Sequence, residues 1–333
     1  MQEKAQISTL PRIGISQGDI NGIAYETILK AFADTRMLSA MTPVLYGQSK
    51  VLSYYKKNFG IEDFNYSLTR DVRQAWNQKF NIINIVDREL KIDPGTVTPV
   101  SAEMAVMSLK MAIEDLRSEY LDALVMAPSC HSVESTQADY LSAVFGKPDM
   151  LRILFSDFMR VGIATEAIPL RDALALLDAD FIVRKLTTFS RSLAKDFGLN
   201  QPKIAVMGLD PHSGRADNPN EKETVTKAVA EAQKLGVYAF GPFSATKLFV
   251  TGAWKKYDAV LALTYNQGVV PFKLISVNGY ATYWAGLPVV CTAPAHGPAF
   301  DIANANQASP ESLRMALFLA IDIVNNRMAA KGA

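Results

Sequence analysis

Residues 258–273, DAVLALTYNQGVVPFK, constrain the fold more than any other stretch of this chain. The apolar run at 259–263 predicts a buried strand. A polar turn follows, Thr264-Tyr265-Asn266-Gln267-Gly268, and the segment leaves through Pro271-Phe272-Lys273. Polar residues at the carboxyl end of a buried strand are where α/β proteins place their chemistry. Yet none of these five turn residues is a good general base or an ordinary metal ligand. The setting is that of an active site, and the residues are not.

The rest of the chain repeats the same strand-then-helix alternation. LPRIGISQ (10–17), PVLYG (43–47), NIINIVD (81–87), LDALVMAP (121–128) and KIAVMGL (203–209) read as strands. Helical patterns follow them. The clearest begins after Ser101, with apolar residues at Ala102, Ala105, Val106, Leu109, Ile113 and Leu116, one face of a helix. Ser49 is expected to cap a helix that Gly60 stops, and Ser309 with Pro310 to open the last one. One long helix is expected over 170–197, closed by Gly198. MLRILF (150–155) and MRVGIAT (159–165) flank Ser156-Asp157-Phe158 as a hairpin would, which makes part of the sheet antiparallel. The fold class that follows is α/β, two α/β/α domains with a mixed, largely parallel sheet. The expected division is 1–125 with 285–333 as one domain and 126–284 as the second, with an active-site cleft between them.

Composition narrows the function. A 333-residue chain, 49% hydrophobic and 20% charged, buries a sizeable core, and a formal charge of +1 gives no reason to expect nucleic acid or an anionic membrane as partner. No apolar run reaches the ~20 residues of a membrane span. The opening MQEKAQISTL is polar, without a secretory apolar core, and the two cysteines, Cys130 and Cys291, are far apart, so a cytoplasmic protein is expected.

Few residues carry obvious chemistry. Gly18-Asp19-Ile20-Asn21-Gly22-Ile23 is either an anion site at a helix N-terminus or a tight turn in which Asp19 bonds the backbone. The three histidines, His131, His212 and His296, are scattered. His212 follows a buried strand, with Asp210 two residues before it, a usual setting for a ligand or catalytic group. His131 also lies just past a strand, and Gly297 lets the His296 loop approach a ligand closely. Lys273 is either a surface lysine at a strand end or an anion contact.

In combination and order, ISQGDINGIAYETILK (15–30), LDPHSGR (209–215), NQGVVPFK (266–273), AGLPVV (285–290) and HGPAFDIA (296–303) resemble the 4-hydroxythreonine-4-phosphate dehydrogenases of vitamin B6 synthesis. The last motif is also similar to the H-G-(S/T)-A-x-D-I-A loop of isocitrate and isopropylmalate dehydrogenases, whose fold the resemblance implies here. It further implies a homodimer with the site at the subunit interface, and a small, phosphorylated substrate. NAD would oxidise the substrate hydroxyl, and a divalent metal held by three histidines would acidify that hydroxyl and stabilise the enolate left by decarboxylation.

Carried over residue by residue, the resemblance leaves much of that machinery behind. Ala167 stands at the first metal histidine, His212 at the second and Tyr265 at the third, with Asn266 in place of the following aspartate. The substrate pair becomes Gln137 and Ala138; Lys273 is retained; Thr282 replaces an asparagine and Cys291 an arginine. The catalytic positions are then Lys273, His212 and Asn266. His296, Gly297, Ala299 and Asp301 correspond to the cofactor loop. His212 is the one remaining metal histidine, and Glu166, Asp210 or Glu221 are the carboxylates from which an oxygen-rich site would have to be rebuilt. One imidazole does not hold a catalytic divalent ion. The expectation is therefore a family member with altered or lost activity. The alternatives are an active dehydrogenase with a rebuilt site and a different small hydroxy acid, hydride transfer or NAD binding without metal that uses His212 or His131 as base, and a non-catalytic small-molecule-binding or regulatory paralogue that pairs with an intact homologue.

Overall fold

The computed structural model describes residues 10–129, 138, 140–209 and 219–332; the side chains of 219–222 fall outside that description. The chain divides into two compact units, Met1–Glu134 with Val289–Val324, and Ser135–Pro288 with Asn325–Ala333.

The first unit holds strands β1 (Arg12–Ser16), β2 (Thr42–Gly47), β3 (Ser67–Leu68), β4 (Asn81–Asn84), β5 (Ala123–Met126) and β12 (Val290–Pro294). Their order is β3-β4-β2-β1-β5-β12, and every pairing is parallel. Strands β2, β5 and β12 are buried at every position, the mark of a sheet covered on both faces. Helices α1 (Ala24–Phe32), α2 (Ser49–Asn58), α3 (Pro99–Arg117) and most of α9 (Glu311–Gly332) belong to this unit. Ile28, Leu29 and Phe32 of α1 are buried, as their spacing predicts. Two expected caps are placed differently. Helix α3 starts at Pro99, with Thr98 accepting from the Ser101 amide and Ser101 answering as the third residue of a capping box. Ser49 is the first residue of α2 instead of its cap, and its amide donates to Asn84 Oδ1 at 2.8 Å.

The second unit holds β6 (Leu151–Phe155), β7 (Arg160–Ile163), β8 (Ile204–Met207), β9 (Ala239–Phe243), β10 (Ala259–Ala262) and β11 (Ala281–Ala285), in the order β11-β6-β7-β10-β8-β9. β6 and β7 form the expected antiparallel hairpin, β11 is antiparallel to β6, and the other pairings are parallel. The expected long helix over 170–197 is two helices, α4 (Leu170–Leu176) and α5 (Ala179–Lys195). Asp178 breaks it by taking an extended conformation and accepting from the Phe181 amide at 2.7 Å, an N-cap inside an apolar pattern. Buried Ile182, Leu186, Phe189 and Leu193 seat α5 on the sheet. Helices α6 (Pro219–Lys234), α7 (Ala245–Val250) and α8 (Tyr265–Ile275) complete the unit. Among the described residues no helix is long and apolar enough to cross a membrane.

Candidate functional site

The carboxyl ends of three neighbouring parallel strands form one edge in the second unit. β10 lies between β7 and β8, with Ala262 opposite Ile163 and Leu261 opposite Val206. The ladder continues past the strands: the Ala164 amide donates to the Ala262 carbonyl at 2.8 Å, and the Thr165 hydroxyl to the Leu263 carbonyl at 3.0 Å. From this edge β7 leads to Ala167, β10 to Tyr265 and Asn266, and β8 to Gly208 and Leu209. Topology therefore delivers the first and third metal positions of the resemblance to one edge. The second, His212, lies outside the described residues, as do Asp210, His131 and Gln137.

The segment 264–268 is a helix start and not a turn. Thr264 is the N-cap of α8, without a side-chain capping bond, and Tyr265, Asn266 and Gln267 make the first turn. Gly268 permits this: a Cβ there would meet Ile163 Cδ1 at 2.4 Å and Ala262 Cβ at 2.6 Å, so α8 packs onto its own strand and β7 closer than any side chain allows. Gln267 pins the start of the helix. Its Oε1 accepts from the Leu263 amide at 3.0 Å, and its Nε2 donates to the Gly208 carbonyl at 2.7 Å. Tyr265 is half-buried and Asn266 exposed; Ala167 is exposed too and brings no donor atom. Lys273 is in the last turn of α8, not at a strand end, with its Nζ 5.4 Å from the centre of the Tyr280 ring.

The carboxylate beside Ala167 is already engaged. Glu166 Oε2 is 2.7 Å from an Arg152 terminal nitrogen, and that guanidinium stands 5.7 Å from the centre of the Trp284 ring. Register explains the cluster, since Arg152 of β6 pairs with both Ile163 of β7 and Trp284 of β11. Arg152 Nε and Trp284 Nε1 are buried, without a hydrogen-bond partner among the described residues, and so are donors awaiting an acceptor. Neither residue stands out in the sequence beyond a charge inside the apolar run MLRILF and an aromatic closing YATYW. Thr282, two residues before Trp284 on the same face of β11, is 2% exposed.

In the first unit the glycine turn and the cofactor-loop residues are packed together. Gly18 takes a positive φ of 66°, and the Asp19 amide donates to the Pro128 carbonyl at 3.0 Å. Asp19 Oδ1 accepts from the Asn21 amide and Oδ2 from the Ser101 hydroxyl; burial holds its carboxyl above the ordinary value. Asn21 donates to Thr96 and Thr98 and accepts from the Asp93 amide. A Cβ on Gly22 would lie 2.7 Å from Pro298, whose carbonyl takes the Ile23 amide at 2.9 Å. These bonds are those of a tight turn with Asp19 bonding the backbone, one of the two readings of GDINGI. His296 contacts the Gly297 carbonyl through Nδ1 at 3.0 Å, Ala299 takes a φ of 44°, and Asp301 is exposed. Cys291 is wholly buried in β12 opposite Leu124, and Ala138 of the second unit is 3% exposed; both fill space.

The described metal positions supply a methyl group and a phenol, Glu166 is paired, and the Glu221 side chain is not described. Among the described residues no group of three His, Cys, Asp or Glu side chains is placed to hold an ion. These residues do not fit a histidine-ligated divalent metal. For a nicotinamide cofactor the described first-unit loop offers backbone, the His296 imidazole and the exposed Asp301, a polar surface consistent with a cofactor.

Residues 39–320 match the family model described as pyridoxal phosphate biosynthetic protein PdxA. A 4-hydroxythreonine-4-phosphate dehydrogenase of Bacteroides thetaiotaomicron is 36% identical over 332 residues, 97% of this chain and 91% of that protein. Among solved structures, a 4-hydroxythreonine-4-phosphate dehydrogenase from Klebsiella pneumoniae aligns with a TM-score of 0.76 and 26% identity, over 94% of this chain and 99% of that one. Isocitrate dehydrogenase from Methylococcus capsulatus shares the fold, with a TM-score of 0.51 and 13% identity over 97% and 88% of the two chains.

Proposed function

The chain belongs to the PdxA family, and from that premise we propose that it is a small-molecule-binding member that has lost the metal-dependent oxidation and decarboxylation of 4-hydroxythreonine 4-phosphate. The observation that carries this reading is the emptied edge. Ala167 and Tyr265 occupy the places where strands β7 and β10 would deliver metal histidines, and the adjacent Glu166 is tied to Arg152. Without the ion nothing acidifies the substrate hydroxyl or stabilises the enolate. Asn266, in place of the aspartate, is no base.

Binding is supported by what the edge keeps. Buried Arg152 Nε and Trp284 Nε1 await acceptor atoms, and a carboxylate or phosphate oxygen supplies them. Lys273, the lysine retained from the resemblance, lies in the last turn of α8 over the Tyr280 ring. The ligand is therefore a small anionic molecule, as the family's phosphorylated substrate is. A homodimer and retained NAD binding belong to the same reading. The rebuilt-site alternative is disfavoured by the Glu166–Arg152 pair, which uses the one described carboxylate adjoining Ala167.

The test is turnover. Purified protein is incubated with 4-hydroxythreonine 4-phosphate, NAD and a divalent cation, and NADH is followed at its absorbance. The expected result is no formation above the protein-free rate, together with saturable binding of the substrate. Turnover at a rate usual for a dehydrogenase, on the order of 1 per second or faster, would overturn the proposal.

A further inference from the structure

The second unit carries a cleft of about 490 Å3 away from the strand edge, within the roughly 300–1,000 Å3 typical of small-molecule sites. The C-terminal half of α5, the loop at 146–150, the turn at 286–288 and Arg327 of α9 enclose it. Side chains alternate along a strand, and Tyr283 of β11 points to this side: its hydroxyl donates to Asp196 Oδ2 at 2.6 Å and accepts from Arg327 at 2.8 Å. Thr282 and Trp284 therefore face the opposite side of β11. The cleft and the Arg152–Trp284 donors lie on different faces of the β11–β6 pair.

Charge is what singles the cleft out. Two carboxylates line it, and both are satisfied. Asp149 accepts from Arg184 at 3.0 Å. Asp196 accepts from Arg327 Nε at 2.7 Å and from the Ser192 and Tyr283 hydroxyls, a pair with side-chain exposures of 3% for Asp196 and 13% for Arg327. Lys147, Arg191 and Lys195 remain, each exposed and in no ion pair among the described residues. Arg191 and Lys195 are one turn apart on α5, where like charges repel. Three cations without an ion pair among the described residues face one small-molecule-sized cleft in a chain whose formal net charge is only +1. A guanidinium fork flanked by two ammonium groups suits phosphate oxygens better than a single carboxylate.

We propose that this cleft is a second binding site, for a small molecule that carries a phosphate or pyrophosphate group, distinct from the strand-edge site. The probe is inorganic pyrophosphate, titrated calorimetrically at constant ionic strength into the full chain, with sodium sulfate as the control for unspecific screening. Saturable binding of one pyrophosphate to this cleft per chain is expected. The double variant Arg191→Ala with Lys195→Ala should weaken it by roughly tenfold or more, and Lys147→Glu should do so independently. Arg191→Lys should recover part of the loss, and Lys273→Ala should leave this binding unchanged. The altered side chains are exposed, so an unchanged circular dichroism spectrum and melting temperature are expected alongside. Absence of saturable binding, binding that survives both the double variant and Lys147→Glu, or binding lost only in Lys273→Ala would each overturn the proposal. Because no turnover is measured, the outcome is independent of whether the strand-edge site is active.

Discussion

The glycine turn of the first unit and the strand edge of the second have followed opposite courses. In the turn, the polar side-chain atoms are spent within the protein: Asp19 on the Asn21 amide and the Ser101 hydroxyl, Asn21 on the backbone of 93 and 96 and the Thr98 hydroxyl, while Gly22 serves the close approach of Pro298. At the edge, the residues that shape backbone persist, Gly268 and Gln267 among them, while the positions that would hold a metal carry Ala167 and Tyr265. The difference separates two kinds of constraint. A residue that closes a turn is held by the fold's own stability, whatever the protein binds. A residue that only touches a ligand is held by that ligand's chemistry and not by the fold.

Substitutions can break or sharpen this contrast, and the largest effect should come from the turn. Asn21→Ala strands the part-buried Asp93 amide and the Thr96 carbonyl, and should cost about 3 kcal/mol in urea denaturation. Gly22→Ala forces a Cβ into Pro298 and should cost about 2 kcal/mol by the same measurement. At the edge, Gln267→Ala removes two bonds that tie α8 to β8 and β10 and should cost about 1–2 kcal/mol. If it costs nothing, the edge is not held by its backbone contacts and the contrast fails. Asp19→Asn gives a signed pH effect. Burial raises the folded carboxyl's pKa, so its stabilising contribution is present in acid and is lost as pH rises through that value. The amide keeps its acceptor toward Asn21 and cannot ionise. Stability measured at about pH 4 and about pH 7 should therefore differ less in the variant than in the parent. The smallest effect belongs to Ala167→His, an exposed position where the change should stay within about 0.5 kcal/mol.

Much of the scaffold was legible in the sequence because burial on both faces leaves a clear mark. The fully apolar runs at 123–126, 204–207 and 259–262 are strands, and Ser156-Asp157-Phe158 marks the β6–β7 hairpin. Other features depend on tertiary contacts that local patterns do not carry. Gly268 and Pro271 read as helix breakers, yet α8 runs through both, because the glycine lies against Ile163 and Ala262. Asp178 splits an apolar pattern that reads as continuous helix. The expectation that Ala167 and Tyr265 stand at metal positions rests on the resemblance alone. The Arg152–Glu166–Trp284 cluster was not readable, since it depends on the register of the β6–β7 hairpin and on β11, more than a hundred residues away, pairing beside it. The cationic cleft was hidden for the same reason: which of its charges are compensated depends on partners as remote as Asp196 and Arg327.

Metal titration tests the central claim most directly. Calorimetry with Zn2+ on the metal-stripped protein should find no stoichiometric site in the natural chain, whereas the double variant Ala167→His with Tyr265→His, which adds two imidazoles to His212, should gain one. A tight one-to-one Zn2+ site in the natural chain, unchanged by those substitutions, would contradict the account.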